Sequence, residues 1–123
     1  MDLLTPVLIG IVGFLHLYIM GLEMFLWKTP YGRKVFKMSE EKAATTAVLA
    51  KNQGLYNGFL AFGLLGSLFL DDPTSKWQVQ SFLLGCVTLA GIYGSMTTKD
   101  KSIFLIQGFP ALVALILRQL SSY

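Results

Sequence analysis

His16 and Glu23 stand seven residues apart in an otherwise apolar stretch. Seven residues make about 700° of helical rotation, so the two side chains sit ~20° apart on one face and ~10 Å apart along the axis. An imidazole and a carboxylic acid on one face can carry protons. Further along, Gln53 and Asn57 share one helical stripe, and Asn52 and Tyr56 form the adjoining one. Tyr93 and Gln107 are polar members of two later apolar runs. The expected division of labour is Glu23 and His16 as catalytic acid/base groups, with Gln53, Asn57, Tyr93, Gln107 and Asn52 binding and orienting a polar ligand head. No metal site is expected, because one His, one Glu and neutral amides make a poor ligand set. No nucleotide motif occurs, so no cofactor is expected. The single cysteine, Cys86, excludes an internal disulfide framework.

The composition limits what can hold these residues. Of 123 residues, 54% are hydrophobic and 14% charged, against ~25% charged in soluble domains. The mean hydropathy is +0.59. A chain this short has too little interior to hide so many apolar side chains from water. Apolar runs at about residues 3–27, 52–70, 78–96 and 103–120 are each about the length that crosses a bilayer, ~17–25 residues. Backbone polar groups in lipid need internal hydrogen bonds, which helices supply, and short loops make successive helices antiparallel neighbours. The expected fold is all-α: an integral membrane bundle of four antiparallel transmembrane helices in a single domain over residues 1–123.

The connections carry their own signals. Thr29-Pro30-Tyr31-Gly32 reads as a turn. Residues 33–38 alternate basic and apolar side chains, as a segment lying among headgroups would. Ser39 is the expected N-cap of the second helix, with Glu40 and Glu41 in its first turn. That helix then begins near residue 40, with its first turns in water. Pro73 is expected to stop it after the polar loop begins at Asp71. Trp77 should anchor the third span at the interface, and Arg118 can snorkel near the end of the fourth. Gly54, Gly58 and Ala61 form a ridge of small residues that permits close helix approach. Pro110 deprives the Ile106 carbonyl of its usual partner.

Orientation follows from the basic residues. Lys28, Arg33, Lys34, Lys37, Lys42, Lys51, Lys99 and Lys101 fall on one side, and only Lys76 and Arg118 on the other. The expected location is a bacterial cytoplasmic (plasma) membrane, with loops 28–51 and 97–102 cytosolic and both termini outside. Under this topology Glu23, Gln53, Asn57, Tyr93 and Gln107 lie at similar depth in the cytosolic half. The outer half is expected to be almost purely apolar. The polar groups then form one shared pocket, unless interfacial solvation or helix-packing hydrogen bonds account for them.

Several segments carry a resemblance. They are His16 with Leu22-Glu23-Met24-Phe25-Leu26-Trp27, the run from Thr29 to Phe36, and Asn52-Gln53-Gly54-Leu55-Tyr56-Asn57-Gly58-Phe59-Leu60-Ala61. Ala90-Gly91-Ile92-Tyr93-Gly94 and Gln107-Gly108-Phe109-Pro110-Ala111 complete the set. Together they resemble the bacterial membrane family known as domain of unknown function 1304. The resemblance implies a small four-helix integral membrane protein, and some relatives carry an epimerase label.

The leading functional expectation is a protein that binds or acts on an amphiphilic small molecule, with isomerase- or epimerase-like chemistry. A small proton-coupled transporter is the second reading, weakened by the apolar outer half and by the one-sided basic bias. A structural or accessory membrane protein is the third. Membrane lipids are expected partners, nucleic acid is not, and self-association is left open.

Overall fold

The computed structural model describes residues 2–98 and 100–121 and, among these, contains only helices, turns and short links. Helix α1 spans Leu4–Met24, α2 Pro30–Val35, α3 Glu40–Ser67 and α4 Pro73–Thr98. Helix α5 spans Lys101–Leu120, with a wide π turn over Phe104–Gly108 inside it. The all-α expectation holds. Helices α1, α4 and α5 are long and apolar enough to cross a membrane. Helix α3 is long enough, but Glu40, Glu41, Lys42 and Lys51 dilute its apolar character.

Several boundaries differ from the sequence reading, each for a local reason. Helix α1 ends at Met24 rather than near Trp27, because Phe25 and Leu26 both hydrogen-bond back to the Gly21 carbonyl and close the helix. Trp27 then folds against the chain that follows. Its ring lies 4.7 Å from Phe36, and Nε1 donates to Thr46 Oγ1 on α3 at 3.1 Å. Residues 29–32 are more than a turn: Thr29 caps α2 by accepting from Gly32 N, and Pro30 occupies the first helical position. Tyr31 on α2 is hydrogen-bonded to Tyr18 of α1. Any Cβ on Gly32 would overlap the Leu26 carbonyl oxygen, so only glycine fits there. Lys37 ends this segment at φ 55°, in the left-handed region.

Ser39 caps α3 as expected, its hydroxyl accepting from Lys42 N. Pro73 starts α4 as well as following α3, because Asp72 accepts from Ser75 N through its side chain and from Lys76 N through its carbonyl. Trp77 therefore sits inside the first turns of α4, not ahead of them. The π turn immediately precedes Pro110, and Phe109 N reaches back five residues to Phe104 O. A proline without an N–H is accommodated by widening the turn before it.

Residue pairs across the bundle run in opposite senses. Gly54 faces Met24 and Glu23, Gly58 faces Met20, and Gly13 faces Leu65. Gly91 abuts Gly108 and Gly94 faces Ile103, while Gln80 meets Arg118. Lys37 acts on Asp100, which puts the loops around α2 and between α4 and α5 at one end, the basic end. Ser121 bonds to Asp2, which puts both described termini at the other, the terminal end.

The core is Ile9, Val12, Leu64, Leu84, Val87, Ala111 and Ala114. Large apolar side chains point outward instead: Phe14, Phe62, Phe82 and Leu89 are 64–70% exposed. The core is aliphatic with a few polar members, and the outward face carries bulky apolar side chains, unlike that of a typical water-soluble domain.

Candidate functional site

The inner face of α1 reads Thr5, Ile9, Val12, His16, Ile19, Glu23, and every member is buried. Spacings alternating four and three hold one seam against the partner helices. The sequence thus places Glu23 and His16 on the buried face by periodicity alone.

Glu23 is 2% exposed. Its Oε1 accepts a hydrogen bond from Asn57 Nδ2 at 2.6 Å, across from α1 to α3. Gly54 makes this approach possible, since a Cβ there would come within 3.0 Å of the Glu23 Cβ. Among the described residues no charged group acts on the carboxyl, and the Asn57 amide is its one polar partner. A carboxyl held this way is ready to take up or release a proton, or to meet a polar or cationic group that arrives.

His16 is equally enclosed, also 2% exposed. Its Nδ1 donates to the Val12 carbonyl at 2.8 Å. The carbonyl can only accept, so Nδ1 carries the proton in this bond. The axial separation from Glu23 is ~10 Å, too far for direct contact.

The remaining expected site residues do not all converge. Asn52 and Gln53 are exposed on α3, and Tyr93 is 69% exposed on α4. Gln107 is half-buried inside the π turn of α5. Among the described residues none of these four side chains is hydrogen-bonded to Glu23 or Asn57. The structure joins the Glu23–Asn57 pair and leaves the others at the same end without a shared hydrogen-bond network.

The expectation of an almost purely apolar outer half is overturned. The terminal end holds its own buried polar set: Thr5 and Gln80 at 1% exposure and Ser67 at 2%. Arg118 Nη1 donates to Gln80 Oε1 at 3.0 Å. Gln80 continues the inner face of α4, spaced four residues before Leu84 and seven before Val87. That spacing was the available signal, hidden because Gln80 also lies near the span boundary. Thr5 stands eleven residues before His16, which is about 1,100° and so nearly the same face. Ser67 and Thr88 bond to carbonyls of their own helices and serve packing.

A second basic feature lies on the short helix. Pro30, Arg33, Lys34, Lys37 and Met38 surround a shallow cleft of about 390 Å³. It places three cations and two apolar side chains together at the basic end.

Over residues 10–118 the chain matches the family described as protein of unknown function DUF1304. The chain belongs to that family. It is similar to the uncharacterized protein YpaA of Lactococcus lactis subsp. lactis (strain IL1403), with 36% identity over 118 residues, 94% of this chain and 97% of the relative. No solved structure matches it. In this DUF1304 member the matched region contains His16, Glu23, Asn57, Gln80 and Arg118, and excludes Asp2 and Thr5.

Proposed function

We propose that this chain is an integral membrane protein in which the Glu23–Asn57 pair binds the polar head of an amphiphilic small molecule and exchanges a proton with it. The proposed architecture is four antiparallel spanning helices, α1, α3, α4 and α5. The opposed residue pairings between α1 and α3 and between α4 and α5 support it, as does the outward display of large apolar side chains. The basic bias supports a plasma-membrane topology with the α2 region cytosolic and the termini outside. Lys99, part of the third expected loop, lies outside the described residues.

One observation carries the functional reading. A carboxyl on a membrane-capable helix is buried with an amide as its single polar partner among the described residues. Buried carboxyls without a cationic partner cost several kcal/mol, so they persist where function uses them. Glu23 would remove and return a proton at the ligand head while Asn57 fixes that head. His16 would act as a second proton carrier, reached through the ligand or a chain of water. Isomerase- or epimerase-like chemistry asks for this set and no more. Gln107, in a widened turn at the same end, would contribute a further polar contact.

Native mass spectrometry of the purified full-length chain tests the reading. Wild type should retain a small amphiphile that Glu23→Gln and Asn57→Leu release, with Glu23→Gln still folded. Equal retention by all three, or no retained amphiphile in wild type, would count against it.

Proton-coupled transport is the second reading. The buried polar set at the terminal end favours it, because it supplies the outer polar groups that a pathway needs. Proton uptake into liposomes containing the chain, abolished by Glu23→Gln, would support transport over binding alone.

A further inference from the structure

The terminal end holds a cleft of about 480 Å³, lined in part by Asp2, Thr5, Lys76, Gln80, Arg118 and Ser121. Its size falls within the roughly 300–1,000 Å³ of small-molecule sites. Two cations line it, and neither is neutralised by a described carboxylate. Arg118 is held by two hydrogen bonds, one at its side chain and one at its backbone. Its Nη1 donates to Gln80 Oε1 at 3.0 Å, its carbonyl accepts from Trp77 Nε1 at 3.2 Å, and its Nε is buried with no partner among the described residues. Gln80 is itself 1% exposed, so the amide that holds the guanidinium is fixed in place. A buried guanidinium N–H without an acceptor is costly.

Asp2 is the acidic group in this lining, and it is already engaged. It accepts from Leu4 N at 3.0 Å, from Thr5 N at 3.3 Å, from the Thr5 hydroxyl and from Ser121 Oγ at 2.9 Å. These bonds join the start of α1 to the end of α5 and leave Lys76 and Arg118 to face the cleft. Pro6 and Leu68 supply apolar wall beside the two cations.

We propose that this cleft binds a phosphate ester, with Arg118 and Lys76 donating to the phosphate oxygens. Planar guanidinium donors suit phosphate geometry, and the ammonium adds a point charge. The apolar wall suits the glycerol and first methylenes of a lipid, so an anionic phospholipid headgroup is the favoured source. A soluble phosphate ester presents the same chemistry to the same donors. The inference is independent of Glu23 and stands or falls separately from the reading above.

The test is native mass spectrometry and thermal unfolding of the detergent-purified full-length chain. Phosphatidylglycerol, phosphatidylcholine, glycerol phosphate and inorganic phosphate are titrated separately. Lys76 makes no described side-chain hydrogen bond, so Lys76→Gln should leave the fold intact while weakening phosphatidylglycerol binding about tenfold. Arg118→Gln should weaken it further, and Arg118→Lys should restore part of the loss. Lys34→Gln, at the opposite end, should not alter binding to this cleft. Binding of phosphatidylglycerol that glycerol phosphate cannot displace identifies the lipid as the source. Displacement at equal concentration identifies a soluble ester. If neither phosphate species binds more weakly to Lys76→Gln than to wild type, the proposal is overturned. Phosphatidylcholine carries the same phosphodiester beside a quaternary ammonium and should bind wild type more weakly; equal binding of the two lipids by wild type would overturn the assignment to an anionic headgroup.

Discussion

Asn57→Leu is the substitution whose cost follows most directly from the geometry. It keeps a side chain of similar size on α3 and deletes the donor 2.6 Å from Glu23 Oε1. Hydrogen bonds to charged groups contribute about 1.5–3 kcal/mol. Leaving a buried acceptor unsatisfied costs about 1–3 kcal/mol, and more where it is charged. Partial relaxation of Glu23 toward the membrane edge offsets some of this, so the expected loss is about 1–3 kcal/mol. Glu23→Leu in the Asn57→Leu background should then recover stability, since no stranded carboxyl remains. The assay is a double-mutant cycle on the full-length chain, unfolded reversibly by denaturing detergent. Polar pairs between membrane helices couple by about 0.6 kcal/mol on average and rarely beyond about 1.7. A carboxyl enclosed to 2% exposure should reach the upper part of that range or pass it. A coupling below about 0.5 kcal/mol would be indistinguishable from additivity. It would mean that the two side chains are not energetically joined, and the proposed ligand site would lose its anchor.

Glycine substitutions separate close packing from free space. Gly91→Ala should cost about 1–3 kcal/mol in thermal or detergent unfolding, because its Cβ would lie 2.6 Å from the Gly108 Cα, and backbone cannot rotate away. Gly85→Ala, with nothing within 4 Å of the added carbon, should be neutral or stabilise by up to about 1 kcal/mol; equal losses at both sites would refute the packing assignment. Cysteines introduced at Lys37 and Ser75 in a Cys86-free background should differ in intact cells, with Ser75 labelled by an impermeant thiol reagent and Lys37 protected. The reverse pattern would invert the proposed topology. The hydrogen bonds from Thr5 and Ser121 hold the Asp2 carboxyl at about 2, below its ordinary 3.8. A depressed carboxylate stabilises above its ordinary value and loses that contribution as pH falls toward the folded one. Melting temperature should therefore drop between pH 4 and 2 in wild type, and Asp2→Asn should flatten that part of the profile.

Periodicity was enough to find the four long helices and the inner face of α1, because hydrophobic spacing and the Ser39 cap act locally. The Glu23–Asn57 bond was half legible. Both residues were visible as polar groups at one depth, but which of Asn52, Gln53 and Asn57 meets Glu23 depends on the rotation of α3. That rotation is set by Gly54 and Gly58 packing against Met20 and Met24. The terminal cluster was missed because each member had an ordinary local explanation. Gln80 and Arg118 lie near span ends, where solvation or snorkelling accounts for a polar side chain. Only their meeting across α4 and α5 at 3.0 Å makes them one feature. The capped helix α2 was hidden in a stretch whose turn residues and basic alternation pointed to irregular chain. Its helix rests on the Thr29 cap and on the Gly32 contact with Leu26, a tertiary condition.

The terminal cluster also changes the balance between binding and transport. An apolar outer half was one of the objections to a transport pathway, and that objection is gone. What stands between the two polar ends is now the deciding feature. Thr5 and His16 are eleven residues apart on α1, about 16 Å along the axis. The interval is filled by Ile9 and Val12 of α1, Leu64 of α3, Leu84 and Val87 of α4, and Ala111 and Ala114 of α5, all fully buried. Water crossing that layer would have to separate close-packed helices, since packed interiors do not deform continuously. Exchange at the proposed Glu23 site would ask for nothing of the kind, because Asn57 is only half-buried and exposed Gln53 lies one turn away on the same stripe of α3. The packing in this conformation therefore weighs toward a site served from the basic end alone. A transporter built on this bundle would have to open the Ile9–Leu64–Leu84 layer in a second conformation.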